Sequence, residues 1–485
     1  MNYLGLDIGT TKLKCGVFND NGKLKYYESY DYGEKYTGDE KYLDIERIRV
    51  LVFDLLKKAY HNCKYDSIAI SSLGESFVLL DENDDVVFLP MLYTDSRGEQ
   101  QADKFQSKKD FIFSVSGVCP QSMYSVYKLL WIKENQPLIY KKAKKLFLIN
   151  EYISYLLTGK RCIDFSQASR TGIFDIQSKV FSEDLAKLFD IDLALFSKPV
   201  KSGEIIGTIK NDVKDILGIN QDVYIVSGGH DQVCASIGSG VIDSTICSDG
   251  MGTVECLVAT YDKPFNDFDI GKCGYPNVPF LSNYCTYLLN YSCGSLTRWW
   301  MDMNYSKEEI VNGNAFIDIE KDFSDKPTGL LVLPYFAGAA TPYQDINAKG
   351  SIINLSLTDT PSKVYKGILE GLSYEMRLNL EFVKKIGVKP KKMVVTGGGS
   401  SSRKWLQIKS NILGIKIYPL KVKDAGILGC AILGVNALTK TDLNIIAKKF
   451  VKYDKVIVPD KEQKSKYNVI YKKYKKLYND LKKYN

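Results

Sequence analysis

Residues 4–18 read LGLDIGTTKLKCGVF, an apolar run that ends on Asp7, turns through Gly9, Thr10 and Thr11, and becomes apolar again. Successive backbone N–H groups in such a turn form a concavity for an anion such as phosphate. Thr10 and Thr11 add hydroxyl donors, and Lys12 or Lys14 offsets the charge. Asp7 cannot itself welcome phosphate. A divalent cation between them reconciles the two, because Mg²⁺ uses few carboxylates and fills its other positions with water and phosphate oxygens. The alternative is an ordinary hairpin whose Asp and Gly serve turn geometry.

Residues 245–259, TICSDGMGTVECLVA, repeat the arrangement, with Gly250, Gly252 and Thr253 as a second phosphate-sized turn. A third glycine-rich stretch, TGGGSSSRKW at 396–405, carries Gly397, Gly398, Gly399 and Ser400, where bare backbone could lie flat against an adenine or ribose. No G-x-x-x-x-G-K-[ST] loop is present. Gly426 and Gly429 in DAGILGCAILG fit either close helix packing or a nearby adenosine.

SGGHDQ, residues 227–232, raises the catalytic question. Gly228 and Gly229 bring backbone close to something, and Asp231 then stands at the mouth of a helix. Such an aspartate either caps the helix or serves as a general base for a hydroxyl attacking a γ-phosphate. Beside two phosphate turns, the base is the reading adopted. His230 is a substrate contact or a turn residue.

The elements that must position these groups come twice. Strand, DIGTT and strand form one hairpin; strand, Asp-Gly-x-Gly-Thr and strand form another after residue 243. VYIVSGGHDQVCASIG and MVVTGGGSSSRKWLQI each read as strand, glycines and helix, and are taken as a second matched pair. LDIERIRVLVFDLLKKAY has the spacing of an amphipathic helix. SIAISSLG reads as a strand, and ESFVLLDENDDVVFLP as strand, turn and strand. Two related α/β halves joined near residues 238–245, with a cleft between lobes, are expected.

Composition bounds the rest. The chain has 485 residues, 45% apolar and 25% charged, which implies two or three globular domains. Its 11 cysteines never form CxxC, and it has two histidines, so neither a disulfide framework nor a zinc site is expected. MNYLGLDIG lacks a secretory signal and no stretch reaches the length of a membrane span, so a cytoplasmic protein is expected. The net charge of +8 gathers partly in YKKYKKLYNDLKKYN, where Tyr467, Ile470, Tyr474, Leu477 and Leu481 recur at helical spacing. That pattern describes a terminal helix packing one stripe and solvating its lysines, not a nucleic-acid surface.

With these motifs assembled, the sequence resembles the FGGY carbohydrate kinases from its first strand to about residue 440. MYSVYKLLWIKEN, residues 123–135 with Lys128 and Trp131, is similar to the family's first signature, though chemistry alone gives no role for it. GSIINLSLTDTPSKVYKGILEG matches the second in part, with Asn354 where a glycine is usual. The resemblance implies two duplicated ribonuclease-H-like, actin-like ATPase domains around a cleft holding ATP and Mg²⁺. It implies phosphate loops at DIGTT and GMGT, adenosine beside TGGGSS and DAGILG, and Asp231 as the base.

The implied domains are residues 1–242, carrying sugar and base, 243–440, carrying ATP, and a helical extension, 441–485. The implied partner is a small sugar or polyol, with no nucleic acid or membrane; a homodimer is left open. At the substrate segment the chain has Leu73, Gly74 and Glu75, where xylulokinases usually carry Met-His-Gly and glycerol kinases Arg-Glu. YTDSR keeps Asp95 and Arg97 of an Asn-Asp-x-Arg segment. Gly74, Glu75, Asp95, Arg97, His230 and Gln232 are therefore the expected substrate residues. The expected acceptor is a ketopentose. The alternatives are glycerol, gluconate or another polyol, or a non-enzymatic actin-like protein.

Overall fold

Each Gly-Thr hairpin opens a six-stranded sheet. In the computed structural model, which describes residues 1–33, 35–37, 40–422 and 424–484, the first sheet runs Ile205–Thr208, Tyr224–His230, Ser67–Ser72, Asn2–Ile8, Lys12–Asn19, Leu24–Asp31. The second runs Tyr275–Phe280, Asn283–Asn290, Glu255–Tyr261, Ile246–Met251, Lys392–Thr396, Lys416–Pro419. In both, the hairpin strands pair antiparallel, and a third strand lies antiparallel beyond the second. Two further strands add in parallel on the other side of the first. That shared five-strand core makes the two halves duplicates of one α/β plan.

The expected matching of the two strand–glycine–helix segments is corrected by this order. Tyr224–His230 is the fifth strand of its core, whereas Lys392–Thr396 is the fourth of the other. The counterpart of Lys392–Thr396 is Ser67–Ser72, and that of Tyr224–His230 is Lys416–Pro419. Any strand entering a glycine turn and a helix shows the same local pattern, and only the sheet register separates the two positions.

Helix Asp231–Gly238 and helix Ala425–Thr439 therefore each follow a fifth strand, and the two pack against one another. Helix Ala425–Thr439 also lies on the first sheet, where a Cβ on Gly5 would stand 2.0 Å from the Ile427 carbonyl oxygen. Strand Asn2–Ile8 is buried along nearly its whole length, as a central strand covered on both faces must be.

The helix expected at residues 43–60 forms as Ile45–Asn62, started by the Asp44 side chain accepting from Arg47 N. The terminal helix Lys461–Leu481 buries Tyr467, Tyr471, Tyr474, Leu477 and Tyr478 in one stripe. Its tyrosines dock on helix Pro361–Lys385: Tyr467 Oη donates to Glu370 Oε1 at 3.1 Å, and Tyr474 Oη to Glu375 Oε2 at 2.5 Å. The cysteines are unpaired and most are buried. Among the described residues no helix is long and apolar enough to cross a membrane.

Candidate active site

Asp7 is the penultimate residue of the first strand, with Lys14 opposite it across the hairpin and Ser71 beside it on the parallel neighbour. Ser71 Oγ donates to Asp7 Oδ1 at 2.8 Å. Lys14 Nζ lies 3.7 Å from Asp7 Oδ2 and 2.7 Å from Asp424 Oδ2. Lys12 instead pairs with Asp31 at 3.1 Å on the open surface, so only one of the two expected lysines joins this cluster. Asp424 caps its helix by accepting from Gly426 N at 2.9 Å. A Cβ on Gly426 would stand 3.4 Å from Asp7 Cγ, which places Gly426 among these carboxylates rather than in the cavity lined by the TGGGSS loop. Burial, and then the Asp424 carboxylate, push Asp7 up to about 6 against the pull of Lys14.

The turn closes through Gly9 N donating to Lys12 O at 2.9 Å, while Thr11 O accepts from Tyr32 N at 2.9 Å. Thr10 faces a cavity of about 490 Å³, which Gly74, Glu75, His230, Asp231 and Gln232 also line. Asp231 Oδ1 accepts from Gln232 N at 2.6 Å and lies 3.0 Å from His230 Nδ1. His230, one residue earlier, takes the N-cap position and its ring stacks on Tyr287 at 5.3 Å. The helix-start role is thus shared, and a third of the Asp231 side chain stays accessible. Withdrawal from bulk water, and then the Asp7 charge, push Asp231 up to about 7. Burial and the Arg170 charge hold His230 well below the usual imidazole range, so it is neutral near pH 7.

Glu75 adopts φ +63°, a left-handed conformation uncommon outside glycine, and turns its carboxylate onto Arg170, whose Nε donates to Oε1 at 2.5 Å. Ser125 Oγ fixes that turn by donating to Glu75 O at 2.6 Å. Arg170 was not among the expected residues. It ends a six-residue helix, Phe165–Arg170, 95 positions from its partner, and no periodicity in the sequence signals the encounter.

Asp95 and Arg97 are not brought into this cavity; their neighbours Tyr93 and Thr94 are. Arg97 forks onto Asp95, with Nε at 2.8 Å from Oδ1 and Nη2 at 2.6 Å from Oδ2. The guanidinium also stacks over Tyr42 at 4.6 Å and Trp131 at 5.2 Å. Lys128 Nζ, fully buried, donates to Asp95 O at 2.6 Å. The segment MYSVYKLLWIKEN, whose role the sequence left blank, thus clamps the turn that carries Tyr93 and Thr94.

A second cavity of about 660 Å³ is lined by Gly252, Thr253, Gly398, Gly399, Tyr365 and Trp405 among others. Gly397 lies behind it at φ +84°, where a Cβ would meet Met251 O at 2.6 Å, and Ser400 Oγ ties back to Gly397 O at 2.6 Å. The second hairpin turn separates the two cavities. Met251, Gly252 and Thr253 face the larger one, and Val254 and Cys256 face the smaller. Beneath it Lys409 Nζ donates to both Asp249 Oδ2 and Glu255 Oε1, all three side chains fully buried. Burial pushes Glu255 up to about 7 even against the Lys409 charge.

A duplicated α/β fold with two cavities meeting at one glycine hairpin, and Asp231 in the wall of the smaller, is the frame of a two-substrate phosphotransferase. Residues 2–238 match the N-terminal domain of the FGGY family of carbohydrate kinases, and residues 251–438 match the C-terminal domain. The chain belongs to that family and is an ATP-using carbohydrate kinase acting on a small molecule. The xylulose kinase of Lactococcus lactis subsp. lactis (strain IL1403) is 26% identical over 494 residues, covering 99% of this chain and 97% of its own. The gluconokinase of Bacillus subtilis (strain 168) is 24% identical over 462 residues, covering 90% and 88%. In fold, a gluconate kinase and a ligand-bound xylulose kinase, both from Lactobacillus acidophilus, superpose with TM-scores of 0.91 and 0.90, each at 24% identity over 99% of this chain and 98% of the other.

Proposed function

We propose that this kinase transfers the γ-phosphoryl group of ATP to a hydroxyl of a ketopentose such as xylulose, with Asp231 as the general base. The observation that carries the reading is the shared hairpin: an acceptor beside Asp231 and a nucleotide beside Gly252, Thr253 and the Gly398–Gly399 backbone meet across one turn. Xylulose kinases that match this chain over nearly its full length support the ketopentose.

The acceptor hydroxyl attacks the γ-phosphorus, its proton passes to an Asp231 oxygen, and ADP leaves with the electrons of the broken P–O bond. Thr10 and the Gly9 turn face the transferred group from one side, Gly252 and Thr253 from the other. Gln232 and Glu75 orient acceptor hydroxyls. Tyr93 and Thr94, held by Asp95, Arg97 and Lys128, complete the wall. Asp7 is the residue suited to Mg²⁺, since its carboxylate stands at a phosphate turn and is raised by burial and then by the Asp424 carboxylate, both of which a cation would relieve. Among the described residues no three His, Cys, Asp or Glu side chains converge as a metal cage. An ion at Asp7 would be held by that carboxylate together with phosphate oxygens and water. When bound, such an ion neutralises charge developing on the phosphates.

The proposed functional division is residues 1–242 for acceptor and base, 243–440 for nucleotide, and 441–485 as a helical brace. A cytoplasmic setting, where ATP is available and thiols stay reduced, suits it. A homodimer is compatible with this division.

A coupled assay of ADP release across ketoses, aldoses, polyols and sugar acids tests the reading. Ketopentoses are expected to give the highest kcat/KM, and Asp231→Asn to lose about 10²–10⁴ in kcat while still binding ATP. Preference for glycerol or gluconate overturns the substrate; sugar-dependent turnover unchanged in Asp231→Asn overturns the base.

A further inference from the structure

Arg170 is 2% exposed, lines the acceptor cavity, and is its only cation among the described residues. Nε and Nη2 both reach one oxygen, Glu75 Oε1, at 2.5 Å. The guanidinium lies 4.9 Å from the Tyr124 ring centroid and 6.0 Å from that of Tyr287, and Nη1 is fully buried between its neighbours without a hydrogen-bond acceptor. A buried donor left unpaired is destabilising, more so on a charged group, so the guanidinium depends on Glu75 for its compensation. Gly74 makes the room: a Cβ there would stand 3.2 Å from Arg170 Cγ and 2.7 Å from His230 Cδ2.

We propose that the Glu75–Arg170 pair sets the charge class of the acceptor, admitting an uncharged polyhydroxy sugar and excluding sugar acids. The inference rests on the reading of this cavity as the acceptor site. A carboxylate entering it needs an uncompensated cation to replace its hydration. The one cation present is already neutralised by Glu75, and Asp231 adds negative charge from the same wall. A hydroxyl or carbonyl oxygen needs only a neutral hydrogen-bonding partner, and Thr10 and Gln232 in the same wall supply such groups. Glu75 is thus a mask as well as a hydroxyl contact, and removing its charge while keeping its shape should unmask the guanidinium.

The test compares kcat/KM for xylulose and gluconate in the wild type, Glu75→Gln and Arg170→Met, with gluconate also assayed as an inhibitor of wild-type xylulose phosphorylation. The wild type should prefer xylulose, with gluconate competing only far above the xylulose KM. Glu75→Gln should lower the xylulose-to-gluconate ratio by roughly tenfold or more through a gain on gluconate. Arg170→Met should raise the xylulose KM with no gain on gluconate. Equal losses on both sugars in Glu75→Gln, or gluconate competing in the wild type as tightly as xylulose binds, overturn the mask. The inhibition measurement decides the matter even where Glu75→Gln does not fold. A wild type active on xylulose whose ratio does not move sinks this inference alone; a wild type inactive on every uncharged sugar sinks the acceptor reading with it.

Discussion

Gly238 and Gly429 face one another where their helices cross, each bare Cα seating a carbonyl of the other helix. A Cβ on Gly238 would stand 1.9 Å from Ala425 O, and one on Gly429 would stand 1.8 Å from Cys234 O. The first helix begins at Asp231 and the second is capped by Asp424, so this contact sets the spacing between the base and the carboxylates around Asp7. Gly429→Ala should force the helices apart, destabilising by about 1–3 kcal/mol, less the helix propensity gained. A urea midpoint and a kcat both unchanged would show that the crossing tolerates a side chain.

The pH dependence should follow Asp231. A general base works ionised, and Asp231 is raised to about 7, so kcat/KM for the sugar should climb as pH rises through that value and fall below it. The Asp7 charge is the second cause of the shift, after burial. Neutralising Asp7 with higher Mg²⁺ should therefore move the climbing limb to lower pH. A flat profile from pH 5.5 to 8, or a limb that Mg²⁺ moves upward, contradicts the assignment.

Asp7 itself should govern the metal requirement. Its oxygens are held by Ser71 and approached by Lys14, leaving a carboxylate short of positive charge at a phosphate turn. Asp7→Ala should raise the Mg²⁺ needed for half-maximal rate sharply while leaving the thermal midpoint near that of the parent. An unchanged Mg²⁺ titration would make the residue a turn former only.

Lys409 compensates two buried carboxylates under the second hairpin, and its removal should be felt most at high pH. Lys409→Met leaves Asp249 and Glu255 unpaired, a loss of about 3–5 kcal/mol where both are ionised. Glu255 is raised in the folded state from an ordinary 4.5 to about 7. Its protonation therefore favours the fold fully below 4.5, and that contribution disappears as pH rises through 7. Urea titrations should show a smaller deficit for the variant at pH 5 than at pH 8. Equal deficits at both would mean that packing, not charge, is what Lys409 supplies.

Local chemistry carried much of this fold into the sequence. Both hairpins, the helix after Asp44 and the terminal tyrosine stripe were legible because turn residues and apolar periodicity are short-range signals. Strand pairing is not, and local pattern alone therefore pairs Tyr224–His230 with Lys392–Thr396 where sheet order separates them. Charges buried by tertiary contact were equally silent. Arg170 meets Glu75 across 95 residues, and Lys409 interrupts the apolar face of its helix in the way a solvated lysine would. Asp95 and Arg97 were visible as a motif, yet their service to Tyr93 and Thr94 through Lys128 is a matter of three segments meeting in space.

The two lobes should close when sugar and nucleotide are both bound. Asp7 stands on the first sheet, Glu75 in the turn that follows its strand Ser67–Ser72 and Asp231 on the helix that follows its strand Tyr224–His230, whereas Gly252 and Thr253 lie on the hairpin of the second sheet, so neither sheet holds a complete set. Phosphoryl transfer needs donor and acceptor in line with water excluded, or ATP is simply hydrolysed. At the Gly238–Gly429 crossing the two helices touch backbone to backbone, and the connection after it includes Gly240 at φ +79°, which can absorb a change of direction. Small-angle scattering with xylulose and a non-hydrolysable ATP analogue should give a smaller radius of gyration than the free protein, and either ligand alone a lesser change. Gly240→Val, strained at that φ, should blunt the contraction and lower kcat with little effect on ATP affinity. Identical scattering curves with and without saturating ligands would mean that the cleft is preformed, and the in-line geometry would then have to be present without any movement of the lobes.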